Sequence, residues 1–116
     1  IKIISLADTV GVAKAEQIFF ACNTLIPKYK DVEFGVHLHS SLKNRKEKLE
    51  AALQPGCKRF DGALKGIGGC PMAQDELVGN MDTVFMIEYF KENNLVNNIN
   101  EGALIESLRI ASEIFI

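Results

Sequence analysis

Three β-rich runs, each followed by one helix-like segment, constrain this chain more than anything else in it. Ile1 to Leu6 is the first run and ends at Asp8-Thr9, Val32 to His39 is the second and ends in His37-Leu38-His39, and Lys58 to Leu64 is the third. Between the first two, Ile18, Cys22, Leu25 and Ile26 recur at helical period until Pro27 closes the segment. Between the second and third, Leu42, Leu49, Ala52 and Leu53 mark an amphipathic helix rich in Lys, Glu and Arg, stopped by Pro55-Gly56. A strand, one helix and another strand read as a parallel βα unit of roughly 25 to 30 residues, because parallel neighbours need a crossover where antiparallel ones need only a turn. Downstream, Asp82-Thr83 opens a helix bearing Phe85, Met86, Tyr89 and Phe90. An Asn-rich linker from Asn93 to Asn100 leads to a last helix whose stripe of Leu104, Leu108, Ala111 and Phe115 needs a partner. The pattern fits either a portion of a TIM barrel, which takes eight strands and about 250 residues when complete, or a small open α/β sheet.

With 116 residues, 47% of them hydrophobic and 24% charged, the expectation is a single globular domain over residues 1–116. Opening at Ile1 inside a strand-like run, without methionine or polar leader, the sequence reads as a piece of something longer. A net charge of -2 gives no basic field for nucleic acid. The basic cluster Lys43 to Lys48, interrupted by Asn44 and Glu47, reads as a solvated helical face, with a phosphate or CoA contact as the alternative. No apolar run is long enough for a membrane span, so a soluble protein without nucleic-acid or membrane partners is expected. The three cysteines are odd in number and far apart, which argues against a disulfide framework and fits a reducing compartment. No CxxC pair suggests a zinc ribbon, and Cys22 and Cys57 read as packing residues.

Four places could carry chemistry. His37 and His39 are two apart, so on a strand they project to the same face, a suitable arrangement for two imidazoles on one divalent cation; polar partners at a strand end are the plain alternative. Asp8 follows a strand, where α/β enzymes place their sites, but it also suits an ordinary turn or helix cap. The loop Lys65-Gly66-Ile67-Gly68-Gly69-Cys70-Pro71 matches neither phosphate-binding glycine pattern, and it carries either a reactive thiol or an incidental cysteine in a flexible turn. Gly79-Asn80 reads by default as a turn before a helix.

Taken together and in this order, Leu6-Ala7-Asp8-Thr9, His37-Leu38-His39, Gly69-Cys70-Pro71 and Gly79-Asn80 resemble the C-terminal part of the hydroxymethylglutaryl-CoA lyases, from about Ile3 to Phe90. The resemblance implies an α/β fold, a partial TIM (β/α)8 barrel made of about three C-terminal βα units, the sixth to eighth, plus a terminal helix. It further implies that His37, His39 and Asn80 hold a divalent metal, Mg2+ or Mn2+, the amide oxygen suiting a hard cation. Cys70 would sit on a loop that closes over an acyl-CoA substrate and would give or take a proton, with Asp8 as an auxiliary acid/base or orienting group. The implied reaction is the retro-Claisen cleavage of 3-hydroxy-3-methylglutaryl-CoA to acetyl-CoA and acetoacetate, a step of leucine degradation, in the cytoplasm or, in a eukaryote, the mitochondrial matrix.

The chain departs from that family in two details. It carries one residue more between Cys70 and Asn80, at Asp75-Glu76-Leu77-Val78, and Ser40-Ser41 where relatives carry Asp, Asn or Thr, so hydroxyls replace a stronger orienting group. The family also takes an aspartate ligand and a catalytic arginine from an Arg-Asp motif on its first strand, and a glutamate from its second. Arg45, Arg59 and Arg109 are none of them followed by aspartate, so the 116-residue chain is expected to be inactive alone and to bind metal weakly. Two other readings compete: a Claisen-condensing synthase of the isopropylmalate or homocitrate type, which shares the His-x-His and Gly-Asn but not the Gly-Gly-Cys-Pro loop, and a non-catalytic structural piece. Exposed barrel edges would favour homo-oligomers.

Overall fold

The computed structural model describes residues 1–68 and 78–115. Along the chain run β1 (Ile3–Ala7), α1 (Ala15–Lys28), β2 (Glu33–His37), β3 (His39–Ser40), α2 (Arg45–Leu53), β4 (Arg59–Asp61), a single 3-10 turn (Leu64–Gly66), β5 (Gly79–Asn80), α3 (Thr83–Glu92) and α4 (Glu101–Ile114). The strands β1, β2 and β4 form one parallel sheet in that spatial order, as βα crossovers require. A second, two-stranded antiparallel pair joins β3 to β5.

The register sorts side chains into two faces. Leu6, Val36 and Phe60 lie side by side across the sheet and pack with Ile18, Cys22, Leu49 and Ala52 of the helices. The next row, Ala7, His37 and Asp61, projects from the opposite face. On β1 that opposite face, Ile3, Ser5 and Ala7, is exposed, so the helices cover one side of the sheet only. Leu49, Met81 and Cys22 are the largest fully buried side chains, and Met81 brings the segment before α3 into the same core.

Several sequence expectations shift. Pro27 lies inside the last turn of α1 rather than ending it, because that turn is closed past the proline by Tyr29 N–H donating to the Leu25 carbonyl at 3.0 Å. Leu42 precedes α2 and is 81% exposed, so it takes no part in that helix's apolar face. The second β-rich run is split at Leu38, whose carbonyl accepts from Met81 N–H, and the third is a strand only over Arg59–Asp61. After Asp61 the backbone leaves the sheet, and Ala63 pairs with the segment at Asp82 instead. Both C-terminal helices form where expected, capped by Asp82 accepting from Val84 N–H and Asn100 accepting from Ala103 N–H. Of the stripe on α4, Ala111 is buried, Leu104 and Leu108 are half-buried, and Phe115 at the helix end is exposed. Among the described residues no helix is long and apolar enough to cross a membrane.

Candidate active site

His37 is the last residue of β2 and His39 opens β3, and their ring centroids lie 5.4 Å apart at a tilt of 41°. The antiparallel pairing sets Asn80 directly opposite His39. His37, His39 and Asn80, the proposed donors, therefore converge at the C-terminal end of the parallel sheet. The Asn80 amide is oriented without ambiguity: its Nδ2 donates to the Ile67 carbonyl at 2.8 Å, which can only accept, so Oδ1 is the atom 2.9 Å from His37 Nε2. On the other side of the same ring, Asp61 Oδ2 lies 3.6 Å from His37 Nδ1, placed there by the β2–β4 register. Ser5 Oγ approaches the same carboxylate oxygen at 3.5 Å.

His39 is held differently. It is buried, and its Nδ1 lies 2.8 Å from the Asp8 carbonyl oxygen. A carbonyl only accepts, so Nδ1 carries the proton and the neutral ring keeps its lone pair on Nε2. The Asp8 carboxylate is equally committed: Oδ1 accepts from Ala13 N–H at 3.1 Å and Oδ2 from Lys48 Nζ at 2.7 Å. Asp8 thus lies within the cluster as an anchored group.

Lys48 is the residue that sequence reasoning missed. Expected on a solvated face, it is 2% exposed and donates inward. The signal was faint but present, since Lys48 and Leu49 are adjacent on a helix whose inner side is made of Ala51 and Ala52. Asp61 was also passed over, although it ends a parallel strand as Asp8 and His37 do.

The glycines around Asn80 are steric requirements. Gly68 adopts φ +79, and its carbonyl accepts from Asn80 N–H at 3.1 Å. A Cβ on Gly79 would collide with the Gly66 carbonyl oxygen, so only glycine lets β5 lie against this loop. Cys70 lies outside the described residues. Cys22 and Cys57 are both buried free thiols, and the hydrogen bond shared with Cys57, then burial, pushes the Cys22 thiol well above its ordinary range. The same shared hydrogen bond lowers the Cys57 thiol to about 7, but both sulfurs are buried, so neither has the exposure of a reactive cysteine. A mostly apolar cavity between β1, β2 and α1, lined by Leu6, Ile18, Cys22, Val36 and Leu38, includes neither imidazole.

The donor set fits a divalent cation in part. Asn80 Oδ1 only accepts, so the 2.9 Å contact puts a proton on His37 Nε2; a cation held between these two atoms would take that proton's place, and Nδ1, 3.6 Å from the Asp61 carboxylate, would carry the proton instead. Among the described residues no cluster of three or more His, Cys, Asp or Glu side chains could hold a metal unaided, so two imidazoles and an amide are what these residues contribute.

Parallel strands that deliver imidazoles to their C-terminal ends are the construction of barrel-type α/β enzymes. The chain belongs to the HMGL-like family, whose model matches residues 1–111. It is 37% identical to an (R)-citramalyl-CoA lyase of Chloroflexus aurantiacus over 88% of this chain and 32% of that protein. It is 26% identical to a hydroxymethylglutaryl-CoA lyase of Bacillus subtilis over 95% of this chain and 36% of that one. The crystal structure of the HMG-CoA lyase from Bacillus subtilis superposes with a TM-score of 0.84 at 26% identity, covering 97% of this chain and 38% of that chain. That of an HMG-CoA lyase from Acinetobacter baumannii in complex with coenzyme A and 3-methylmalate gives 0.77 at 29% identity over 94% and 36%. The sheet and its four helices therefore match a fragment of the HMG-CoA lyase barrel, and the chain spans about a third of the length of these relatives.

Proposed function

We propose that this chain supplies the metal-binding and proton-transfer part of an acyl-CoA carbon–carbon lyase that cleaves 3-hydroxy-3-methylglutaryl-CoA to acetyl-CoA and acetoacetate. The observation that carries the reading is the convergence of His37, His39 and Asn80 at one end of the sheet, in a chain of the HMGL-like family. His37 Nε2, His39 Nε2 and Asn80 Oδ1 would hold Mg2+ or Mn2+. When bound, such an ion supplies Lewis-acid polarisation of the substrate's hydroxyl and carboxylate oxygens. The chain's own residues orient those donors. The Asp8 carbonyl orients His39, Asp61 orients His37, and the loop around Gly66 to Gly68 orients the Asn80 amide. Cys70 relays the proton to or from the acetyl carbon, in a site that loop closure shields from water. On this reading the three βα units are the last three of an eight-stranded barrel, and the 116-residue chain is inactive alone.

The higher identity to a citramalyl-CoA lyase favours a second substrate for the same machinery, (R)-citramalyl-CoA. One chimera tests both: residues 1–111 replace the matching third of the Bacillus subtilis lyase, and carbon–carbon bond cleavage to acetyl-CoA with Mg2+ is measured on each substrate. Turnover of hydroxymethylglutaryl-CoA supports the main reading, turnover of citramalyl-CoA alone supports the second, and a folded chimera that cleaves neither overturns both. In an active chimera, Cys70→Ala is expected to lower kcat by about 10²- to 10⁴-fold, the usual worth of a positioned acid or base. Little loss would point to a condensing synthase.

A further inference from the structure

Lys48 lies in the middle of α2, buried, with an acceptor for each of its three ammonium hydrogens: Asp8 Oδ2 at 2.7 Å, the His39 carbonyl at 2.8 Å and the Gly11 carbonyl at 3.3 Å. These acceptors belong to two separate segments, the loop after β1 and the strand β3. The loop is further pinned by Ala13 N–H on Asp8 Oδ1, and it returns its own contact to β3 through the Asp8 carbonyl on His39 Nδ1. A buried ion pair is a poor source of net stability compared with apolar residues of the same volume, so stability alone is a weak account of a lysine here. An ion pair with Asp8 would also leave the two carbonyl contacts unexplained.

We infer that Lys48 is a positioning residue for His39: by tying the Asp8 loop to the β3 backbone, it holds the Asp8 carbonyl on Nδ1 and so locks the imidazole in the tautomer whose Nε2 can bind a cation. The effect on metal binding rests on the proposed role of His39 as a ligand, whereas the tautomer lock does not. A metal-bound histidine owes its orientation and basicity to the group on its other nitrogen. Lys48 acts one bond further out, on the segment that presents that group. Three divergent donors are needed, and an ammonium provides them where a side-chain amide provides two.

The test uses the 15N-labelled chain without metal, then with Mn2+. In the unsubstituted protein, long-range proton–nitrogen correlation should show His39 as a single Nδ1–H tautomer, and the Lys48 ammonium should give an exchange-protected nitrogen signal. In folded Lys48→Met the His39 signals should become those of mixed tautomers, and Mn2+ affinity read by electron paramagnetic resonance should fall by about tenfold. Lys48→Gln, which retains two donors, should fall between, and it stands in if the methionine variant does not fold. A lysine ammonium without exchange protection, or a folded variant that keeps the Nδ1–H tautomer, overturns the inference. If neither the unsubstituted chain nor the chimera with the Bacillus subtilis lyase, which restores the missing aspartate, shows specific Mn2+ binding, the ligand reading of His39 fails, while tautomer mixing in the variants still supports the lock.

Discussion

The charges of this chain fall into two kinds, and burial separates them. Arg109 pairs with Glu106 and Glu113 on the open surface of α4, where solvent screens the attraction. Arg109→Ala should leave the urea unfolding midpoint unchanged. The Asp8–Lys48 pair has almost no exposed side-chain surface, and removing one partner leaves the other charge buried without compensation. Asp8→Ala is therefore expected to cost about 3–5 kcal/mol in urea titration, and a loss no larger than that of Arg109→Ala would show the pair to be solvated. The same contrast applies to the thiols. Cys22 and Cys57 are buried, so iodoacetamide should label neither until denaturant is added, as site-resolved mass spectrometry would show. At this scale the imidazole pair was legible from residue type and spacing, whereas Asn80 read locally as a turn residue and was named only through the family resemblance. Lys48 was not, because a lysine beside other charged residues on a helix is ordinarily solvated, and only the position of the Asp8 carboxylate makes its burial tolerable.

Between elements, two contacts fix how the α3 segment meets the rest. Tyr89 of α3 donates to Glu50 of α2 at 3.0 Å, and loss of hydration followed by that carboxylate pushes the phenol above its ordinary range. Since the folded value is raised, the phenol contributes stability that is fully present below the unfolded pKa of about 10 and is lost as the pH rises past it. The urea midpoint should drop between about pH 9 and pH 11, and Tyr89→Phe should flatten that decline. Gly79 is the second contact. In Gly79→Ala the new methyl group would strike the Gly66 carbonyl oxygen and push β5 off the loop, moving Asn80 away from His37. Helix content by circular dichroism should hold while Mn2+ affinity falls; unchanged affinity would remove Asn80 from the proposed donor set. Element boundaries were the least legible part. The split of the second run at Leu38 and the early end of β4 arise from hydrogen bonds to Met81 and Thr83, which lie far along the chain and leave no local trace.

For the whole molecule, the helices cover one face of the sheet and the other stays open. Among the described residues β1 and β4 are edge strands, and Ile3, Phe20, Ile105 and Ile114 are large exposed apolar side chains. Unpaired parallel edges and apolar patches recruit partners, so light scattering at rising concentration should show self-association. A clean monomer throughout would mean that these edges are protected. The alternation of β-rich runs with single helices already dictated parallel βα units, because the connection lengths admit no hairpin alternative. The same periodicities named Asp8, His37 and His39 as residues at strand ends, a matter of local chemistry repeated every two or 3.6 positions. Which groups meet is a question of long-range register. Asn80 reaches His37 across a gap of 43 residues, Asp61 across 24, and Lys48 reaches Asp8 across 40, through pairings between β3 and β5, β2 and β4, and α2 and the first loop. Such contacts depend on which surfaces pack together, and no window of sequence contains both partners.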